Sequence, residues 1–171
     1  MNEVVIMRGP SGCGKSTWRK KNRPDAYVCS ADFFWYNERS VREQALPLEE
    51  SPYPIVYKDN DPTPYNYIFN YEYIADSHKD CRNHYIKALE DKRPCIVVDN
   101  TFTLKAHYYP YEKTAQMAGY KVTIIEFRVK TVEEIKMLAK RNQHGVPLSA
   151  IAGMACEFEP CFHATVIEIG K

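Results

Sequence analysis

A glycine-rich segment near the start of the chain has the residue types and spacing of a phosphate-binding loop. It follows the apolar run 4–7 and fills every fixed position of the pattern G-x-x-x-x-G-K-[ST]. Glycines let consecutive backbone N–H groups turn toward phosphate oxygens, and the helix that follows directs the positive end of its dipole at the same anion. The residues predicted to bind a nucleotide are Gly9, Pro10, Ser11, Gly12, Cys13, Gly14, Lys15, Ser16 and Thr17.

Three side chains of this loop carry specific expectations. Lys15 is expected to neutralise the β- and γ-phosphates of ATP, and the Ser16 hydroxyl is expected to ligate Mg²⁺. Cys13 stands just before a predicted helix, where the thiolate form is favoured, so we expect a reactive thiol; the alternative is that it is only a small residue that fits the loop. The loop therefore predicts an ATP site that uses Mg²⁺.

Two carboxylates follow predicted strands. Asp32 comes after the apolar run 26–29, where it is either the general base for an acceptor hydroxyl or the N-cap of the next helix. Asp99 comes after the apolar run 95–98, where it either holds Mg²⁺, directly or through water, or serves a strand-end turn.

A basic segment later in the chain is a candidate lid. The spacing of Thr131 and Glu134 predicts a capping box that opens a helix, and Lys136 and Lys140 share a face of that helix. Arg141 is then placed to stabilise charge on a transferring phosphoryl group. The alternative for this segment is an ordinary solvated helix face.

Strand and helix patterns alternate along the chain, which predicts an α/β fold of the doubly wound type: a three-layer sandwich with a central, mostly parallel five-stranded sheet and a helical lid. Ligands of such sheets bind at the carboxyl ends of the strands. The predicted strands are 4–7, 26–29, 95–98, 122–127 and 165–169, and the predicted helices are 17–21, 71–89, 105–117, one from Thr131 to Arg141 and one that starts at Pro147.

Four motifs occur in order along the chain: GPSGCGKSTW, SADFF, VVDNT and LAKRNQHGVP. Together they resemble the polynucleotide-kinase-like family of P-loop kinases, in the form of stand-alone kinase domains of an AAA and zeta-toxin-like ATP-binding branch. The resemblance spans residues 4 to about 154 and implies transfer of the ATP γ-phosphate to a 5′-hydroxyl of DNA or RNA. It also implies that Asp32 is the general base and that Lys15, Ser16 and Arg141 serve the nucleotide. His78 matches a recurring histidine of the family.

The chain departs from the phage members of this family on the acceptor side. Trp35 stands where they carry an arginine, a second lid arginine is replaced by a shorter turn, and the Tyr- and Pro-rich insertion at about 39–66 has no counterpart. The tyrosines of and near this insertion either stack bases or pack the insertion onto the sheet. The predicted acceptor-binding residues are Asp32, Trp35, Tyr67, His78, Asn100 and Thr101.

Composition narrows the function classes further. The chain has 171 residues, which predicts one domain, and its 23 basic and 22 acidic residues give a net charge of +1. This balance argues against a long nucleic-acid footprint and leaves open either a footprint of a few nucleotides or a small substrate. Six scattered cysteines without a zinc-site spacing favour reduced thiols. Without a signal-peptide pattern or a membrane-spanning run, we expect a cytoplasmic protein with no obligate protein partner.

Two alternatives to a polynucleotide kinase stay open at this point. One is a kinase for a small molecule, a nucleoside or a hydroxymethylated DNA base, which would need Asp32 but not a groove for several nucleotides. The other is a nucleotide-binding module without catalysis, against which the presence of both Lys15 and Asp32 argues.

Overall fold

A computed structural model describes residues 2–35, 69–142 and 144–169. The insertion at about 39–66 and Tyr67 therefore lie outside the described residues. The five strands are β1 (Glu3–Arg8), β2 (Tyr27–Cys29), β3 (Cys95–Asp99), β4 (Lys121–Arg128) and β5 (Thr165–Glu168). The five α-helices are α1 (Lys15–Asn22), α2 (Ile74–Glu90), α3 (Lys105–Met117), α4 (Val132–Arg141) and α5 (Leu148–Cys156).

The strands form one sheet in the order β2-β3-β1-β4-β5, and all four pairings are parallel. β1 lies at the centre, with Ile6 in register with Val98 of β3 and Ile124 of β4. A parallel strand covered on both faces reads as a continuous apolar run, which is why residues 4–7 are apolar without alternation. The α/β fold and its five-stranded parallel sheet are confirmed.

Two separate apolar cores cover the two faces of the sheet. Because successive side chains of a strand point to opposite faces, Val4 and Ile6 join one core and Val5 and Met7 the other. The first core also takes buried side chains from α2 and α3, and the second takes them from α4 and α5 with Trp18 of α1 packed against it. The sheet is thus the middle of three layers.

Local signals explain where the helices begin. Thr131 accepts a hydrogen bond from the Glu134 N–H while Glu134 reaches back to the Thr131 backbone, so the predicted capping box is present at the start of α4. The helix predicted over 71–89 differs: Tyr71–Tyr73 is a 3₁₀ turn and α2 begins at Ile74. The Tyr73 N–H donates to the Asn70 carbonyl three residues back, which makes this turn 3₁₀, and the Asn70 side chain caps it by accepting the Glu72 N–H.

Among the residues that the structure describes, none of the helices is both long enough and apolar enough to cross a membrane.

Candidate active site

The phosphate-binding loop lies at the carboxyl end of β1, as the sequence predicts. Gly9, Gly12 and Gly14 have φ angles of +146°, +79° and +99°, a region that residues with a Cβ rarely adopt. The Gly9 N–H donates to the Thr101 carbonyl at 2.9 Å, which ties the loop to the end of β3. Helix α1 begins at Lys15 directly behind this turn, so its N-terminal N–H groups face the loop.

Lys15 folds over the loop. Its Nζ donates to the carbonyl oxygens of Gly9 at 2.9 Å and Pro10 at 3.2 Å and lies 3.7 Å from the Cys13 Sγ. Burial by itself would lower the pKa of Lys15, but the neighbouring Cys13, Asp99 and Asp32 outweigh it and the net pKa is raised. The ammonium therefore keeps its charge at the centre of the cleft.

Ser16 and Asp99 meet across the cleft, where the Ser16 Oγ donates to the Asp99 Oδ2 at 3.0 Å. Asp99 is only 8% exposed, and burial raises the pKa of its carboxyl while Lys15 and the Ser16 hydrogen bond oppose the shift. A hydroxyl and a carboxylate oxygen suit Mg²⁺, which takes oxygen ligands and uses few protein groups beside phosphates and water. The donor set therefore fits the predicted metal site.

Asp32 stands on a short 3₁₀ helix, Ala31–Trp35, at the end of β2. Its backbone N–H donates to the Ser30 Oγ at 3.3 Å, so Ser30 occupies the capping position and Asp32 does not. The Asp32 side chain is about half exposed, at 48%, and lines the same cleft as Lys15. Its carboxylate is thereby available to a ligand in that cleft.

The end of α4 and the residues that follow it cover the loop; we call residues 138–142 and 144–147 the lid. A Cβ added to Gly12 would lie 2.5 Å from the Leu138 carbonyl oxygen and 3.3 Å from Asn142. A Cβ added to Gly14 would lie 4.0 Å from the Arg141 Nη2. The lid backbone thus packs on the loop, and Arg141 reaches its phosphate-binding side, while the predicted basic partners Lys136 and Lys140 are exposed.

The acceptor-side residues differ in what they present. Trp35 is 6% exposed and packs against Phe34 and Phe69, with ring centroids 4.9 and 5.1 Å away. Asn100 uses both polar atoms within the protein: its Oδ1 accepts the Ala31 N–H at 2.9 Å and its Nδ2 donates to the Cys81 Sγ at 3.3 Å. Asn100 therefore fastens the segment that carries Asp32.

His78 and Thr101 also line the cleft. The pKa of His78 lies below its ordinary value because desolvation disfavours the charged ring and His107 lies nearby, whereas Asp32 acts in the opposite direction. Sequence analysis missed the aromatic residues Phe69 and Tyr71, which line the cleft and are 50% and 79% exposed. Their only sequence signal is their position just after the Tyr-rich insertion.

The expectation of a reactive Cys13 is wrong. The side chain is 5% exposed and belongs to the apolar core beneath the loop. Burial raises the pKa of the thiol, and Lys15 only partly offsets that effect. The helix N-terminus does not decide the outcome, because the sulfur points into the protein.

Arg8 is a second residue that sequence analysis missed. It is fully buried and forms an ion pair with Glu126 at 3.0 Å. Its guanidinium also donates to the carbonyl oxygens of Phe102, Thr103 and Glu159 at 2.8–3.0 Å. Because Arg8 directly precedes the loop, it joins the base of the loop to the ends of β3 and β4 and to the segment before β5.

These residues surround one cleft with a volume of about 720 Å³, a size typical of small-ligand sites. Lys15, Ser16, Asp99 and Asp32 all line it, and Arg141 lines it from the lid. In the part of the chain that is described, no three His, Cys, Asp or Glu side chains gather as a further metal site.

Comparison with solved structures agrees with this architecture. A gluconokinase from Sinorhizobium meliloti 1021 superposes with a TM-score of 0.51 at 13% identity, covering 99% of this chain and 83% of that one. The tunicamycin resistance protein of Deinococcus radiodurans also superposes with a TM-score of 0.51, at 11% identity. This match covers 98% of this chain and 85% of the tunicamycin resistance protein. At such identities the likeness concerns the fold.

Sequence comparison adds a distant relative. The chain is 26% identical to human NEDD4-binding protein 2 over 155 residues. The matched region makes up 88% of this chain but only 7% of the human protein. A model of the AAA domain family (AAA_33) matches residues 4–161. With its phosphate-binding loop, parallel sheet and lid, the chain belongs to this family of P-loop kinases and has the fold of an ATP-binding phosphotransferase.

Proposed function

We propose that this protein is an ATP-dependent kinase that transfers the γ-phosphate to the 5′-hydroxyl of DNA or RNA. The observation that carries the proposal is that Lys15, the Ser16–Asp99 pair and Asp32 face one cleft. A nucleotide-binding module without catalysis needs the first three of these groups. It has no use for the half-exposed carboxylate of Asp32 in the same cleft.

Each residue has a defined task in this reaction. Asp32 takes the proton of the acceptor hydroxyl as the hydroxyl oxygen forms a bond to the γ-phosphorus and the bond from that phosphorus to the β-bridging oxygen breaks. Lys15 and Arg141 stabilise the charge on the phosphoryl oxygens, and ADP leaves with the electron pair. Mg²⁺, held by Ser16 and Asp99, would supply further charge neutralisation on the phosphates.

Aromatic side chains support a nucleic-acid acceptor. Phe69 and Tyr71 are exposed on the wall of the cleft, and base–aromatic stacking contributes about 1–3 kcal/mol per base. Trp35 is packed beneath Phe69, so we assign it to supporting that surface instead of stacking a base itself. This arrangement favours recognition of one or two terminal nucleotides through stacking.

Two substitutions separate ATP binding from phosphotransfer to the acceptor. Asp32→Asn should keep ATP affinity and lose about 10²- to 10⁴-fold in phosphotransfer, the range for a general base. Lys15→Ala should lower both ATP affinity and turnover, because it removes charge from the nucleotide side. The measurements are transfer of labelled γ-phosphate to 5′-hydroxyl DNA and RNA oligonucleotides and titration calorimetry with ATP.

A matched control is available for the aspartate. Asp25 is exposed and lies outside the cleft, so Asp25→Asn should retain wild-type transfer. If Asp32→Asn turned over at a near-wild-type rate, the assignment of Asp32 as the general base would be wrong.

A kinase for a small molecule or nucleoside is the second candidate. It is favoured by the burial of Trp35 at the position where phage polynucleotide kinases carry an arginine, and one structural neighbour is a gluconokinase. Acceptor competition distinguishes the candidates: nucleosides, hydroxymethylated-base DNA, sugars and antibiotics are added to the same transfer assay.

Salt dependence gives an independent criterion. With one to three phosphate contacts, log affinity for an oligonucleotide should fall with log salt at a slope of roughly 0.7 per contact. A steeper slope would indicate a long nucleic-acid footprint. Absence of oligonucleotide binding at any salt concentration would favour the small-molecule kinase.

A further inference from the structure

The lid and the proposed base meet at one point of the cleft. The Nε2 of His144 lies 3.8 Å from the Oδ2 of Asp32, and the two side chains are 25% and 48% exposed. This distance is within ion-pair range and exceeds the 2.7–3.2 Å of a hydrogen bond, so a small approach of the lid would close it. Lys15 and His78 also lie within electrostatic reach of Asp32.

The turn that carries His144 is fixed from both sides. The Asn142 Nδ2 donates to the carbonyl oxygens of Ala139 at 2.7 Å and Val146 at 3.2 Å, and its Oδ1 accepts the Val146 N–H at 2.7 Å. Gly145 has a φ of +66°, which allows the chain to reverse there. Asn142 thereby holds the turn against the end of α4, and the position of His144 follows that of the helix.

The same end of α4 rests on the phosphate-binding loop. The Leu138 carbonyl packs on Gly12 so closely that a Cβ on that glycine would overlap it, and Asn142 would lie in tight contact with the same Cβ. The loop therefore packs against Leu138, and the Asn142 N–H donates to the Leu138 carbonyl at 2.9 Å in the same helix end that precedes His144. His144 in turn approaches Asp32.

We propose that His144 is a positioning residue that orients the carboxylate of Asp32 toward the acceptor hydroxyl and makes this orientation depend on the seated lid. The interaction needed is a hydrogen bond from the imidazole N–H to the carboxylate. Misplacement of a reacting group by about 1 Å costs up to about 10²-fold in rate, so a contact that directs the carboxylate bears on catalysis. The inference rests on the proposed function, because it assumes that Asp32 is the base.

The first test is a pair of substitutions at one position. His144→Ala should lower kcat by about 10- to 10²-fold at saturating acceptor while leaving ATP affinity unchanged. His144→Gln retains an N–H donor and should restore most of that loss. Equal impairment of both variants, wild-type kcat in His144→Ala, or a loss confined to KM would each overturn the proposal.

The control uses a histidine–carboxylate pair outside the cleft, His163 with Glu112 at 3.1 Å. His163→Ala should transfer phosphate at the wild-type rate. The thermal unfolding midpoint of every variant is compared with that of the wild type, which shows whether a loss of kcat comes from a loss of folding stability.

The second test does not depend on phosphotransfer. Imidazole ¹⁵N signals are recorded at one pH for the wild type, Asp32→Asn and Asp25→Asn, and the His144 signals are assigned by their loss in His144→Gln. The proposal predicts that Asp32→Asn moves the His144 signals and leaves those of His163 in place. Unmoved His144 signals would overturn the pairing, whereas wild-type protein that phosphorylates no acceptor would refute the proposed function alone.

Discussion

The hydroxyl of Ser16 donates a hydrogen bond to the carboxylate of Asp99 at 3.0 Å, although 83 positions separate the two residues in the chain. Ser16 stands in the first turn of α1 and Asp99 at the end of β3, and the parallel register of β1 with β3 places Met7 opposite Asp99. The pairing of β1 with β3 therefore brings the Ser16 hydroxyl and the Asp99 carboxylate, the two proposed Mg²⁺ ligands, together beneath the phosphate-binding loop.

Asp99→Asn should lower turnover by about 10²-fold and raise the Mg²⁺ concentration needed for half-maximal rate, because it removes a negative oxygen ligand. The measurement is the initial rate of phosphotransfer over a range of Mg²⁺ at saturating ATP. Asp91→Asn is the control, since Asp91 is exposed at the end of α2 and pairs only with Lys87 among the ion pairs described. An unchanged Mg²⁺ requirement in Asp99→Asn would contradict the assigned ligand.

Gly12→Ala should abolish ATP binding. The loss should exceed the cost of a positive φ alone, because the added Cβ would also collide with the lid. Gly12 and Gly119 share a φ of +79°, but a Cβ on Gly12 would meet the Leu138 carbonyl at 2.5 Å whereas one on Gly119 meets nothing within 4 Å. Gly119→Ala should therefore lose only about 1–2 kcal/mol of unfolding free energy and keep ATP affinity. Calorimetry and urea unfolding of both variants check this, and similar ATP affinities would show that the lid does not pack on the loop.

Arg8→Met should lower the free energy of unfolding by about 3–5 kcal/mol, because it removes the fully buried partner of Glu126 and leaves that carboxylate with the partly exposed Arg128 and the Cys161 N–H. Arg8→Met combined with Glu126→Leu should recover part of the loss, since no buried charge then stays unpaired. Recovery stays incomplete because three carbonyl oxygens lose their donor. Urea unfolding of the single and double variants gives the comparison, and a loss of less than about 1 kcal/mol would contradict a structural role for the pair.

Cys13 should react slowly with iodoacetamide at neutral pH. Its raised pKa means that the thiol stays protonated until the pH rises above the ordinary range for cysteine, and its sulfur is buried as well. Mass spectrometry of the labelled protein should find Cys156 modified first, since that side chain is exposed. The rate at Cys13 should increase with pH, and rapid labelling at neutral pH that Mg·ATP blocks would support a reactive thiolate instead.

The sequence alone determined the elements that create the nucleotide site. The apolar run 4–7 followed by the glycine pattern predicts a buried strand, a phosphate-binding loop and a helix, because each needs only local residue types and spacing. The capping box at Thr131 and Glu134 is local in the same sense, and both predictions match the structure. Tyr67 and the insertion at about 39–66 stay predictions, since they lie outside the described residues.

Burial and contacts between distant segments needed the tertiary structure. Cys13 has the helix-terminal position of a reactive thiol, yet its side-chain direction places it in the core. Arg8 shows nothing in the sequence beyond its place before the loop. Its four hydrogen-bond partners, which are Glu126 and the carbonyl oxygens of Phe102, Thr103 and Glu159, are brought together by the sheet and the later return of the chain. The approach of His144 to Asp32 likewise depends on how α4 packs against the loop. Pattern and spacing report what a segment prefers by itself, whereas these contacts arise only when strands pair in register and helices pack on the sheet.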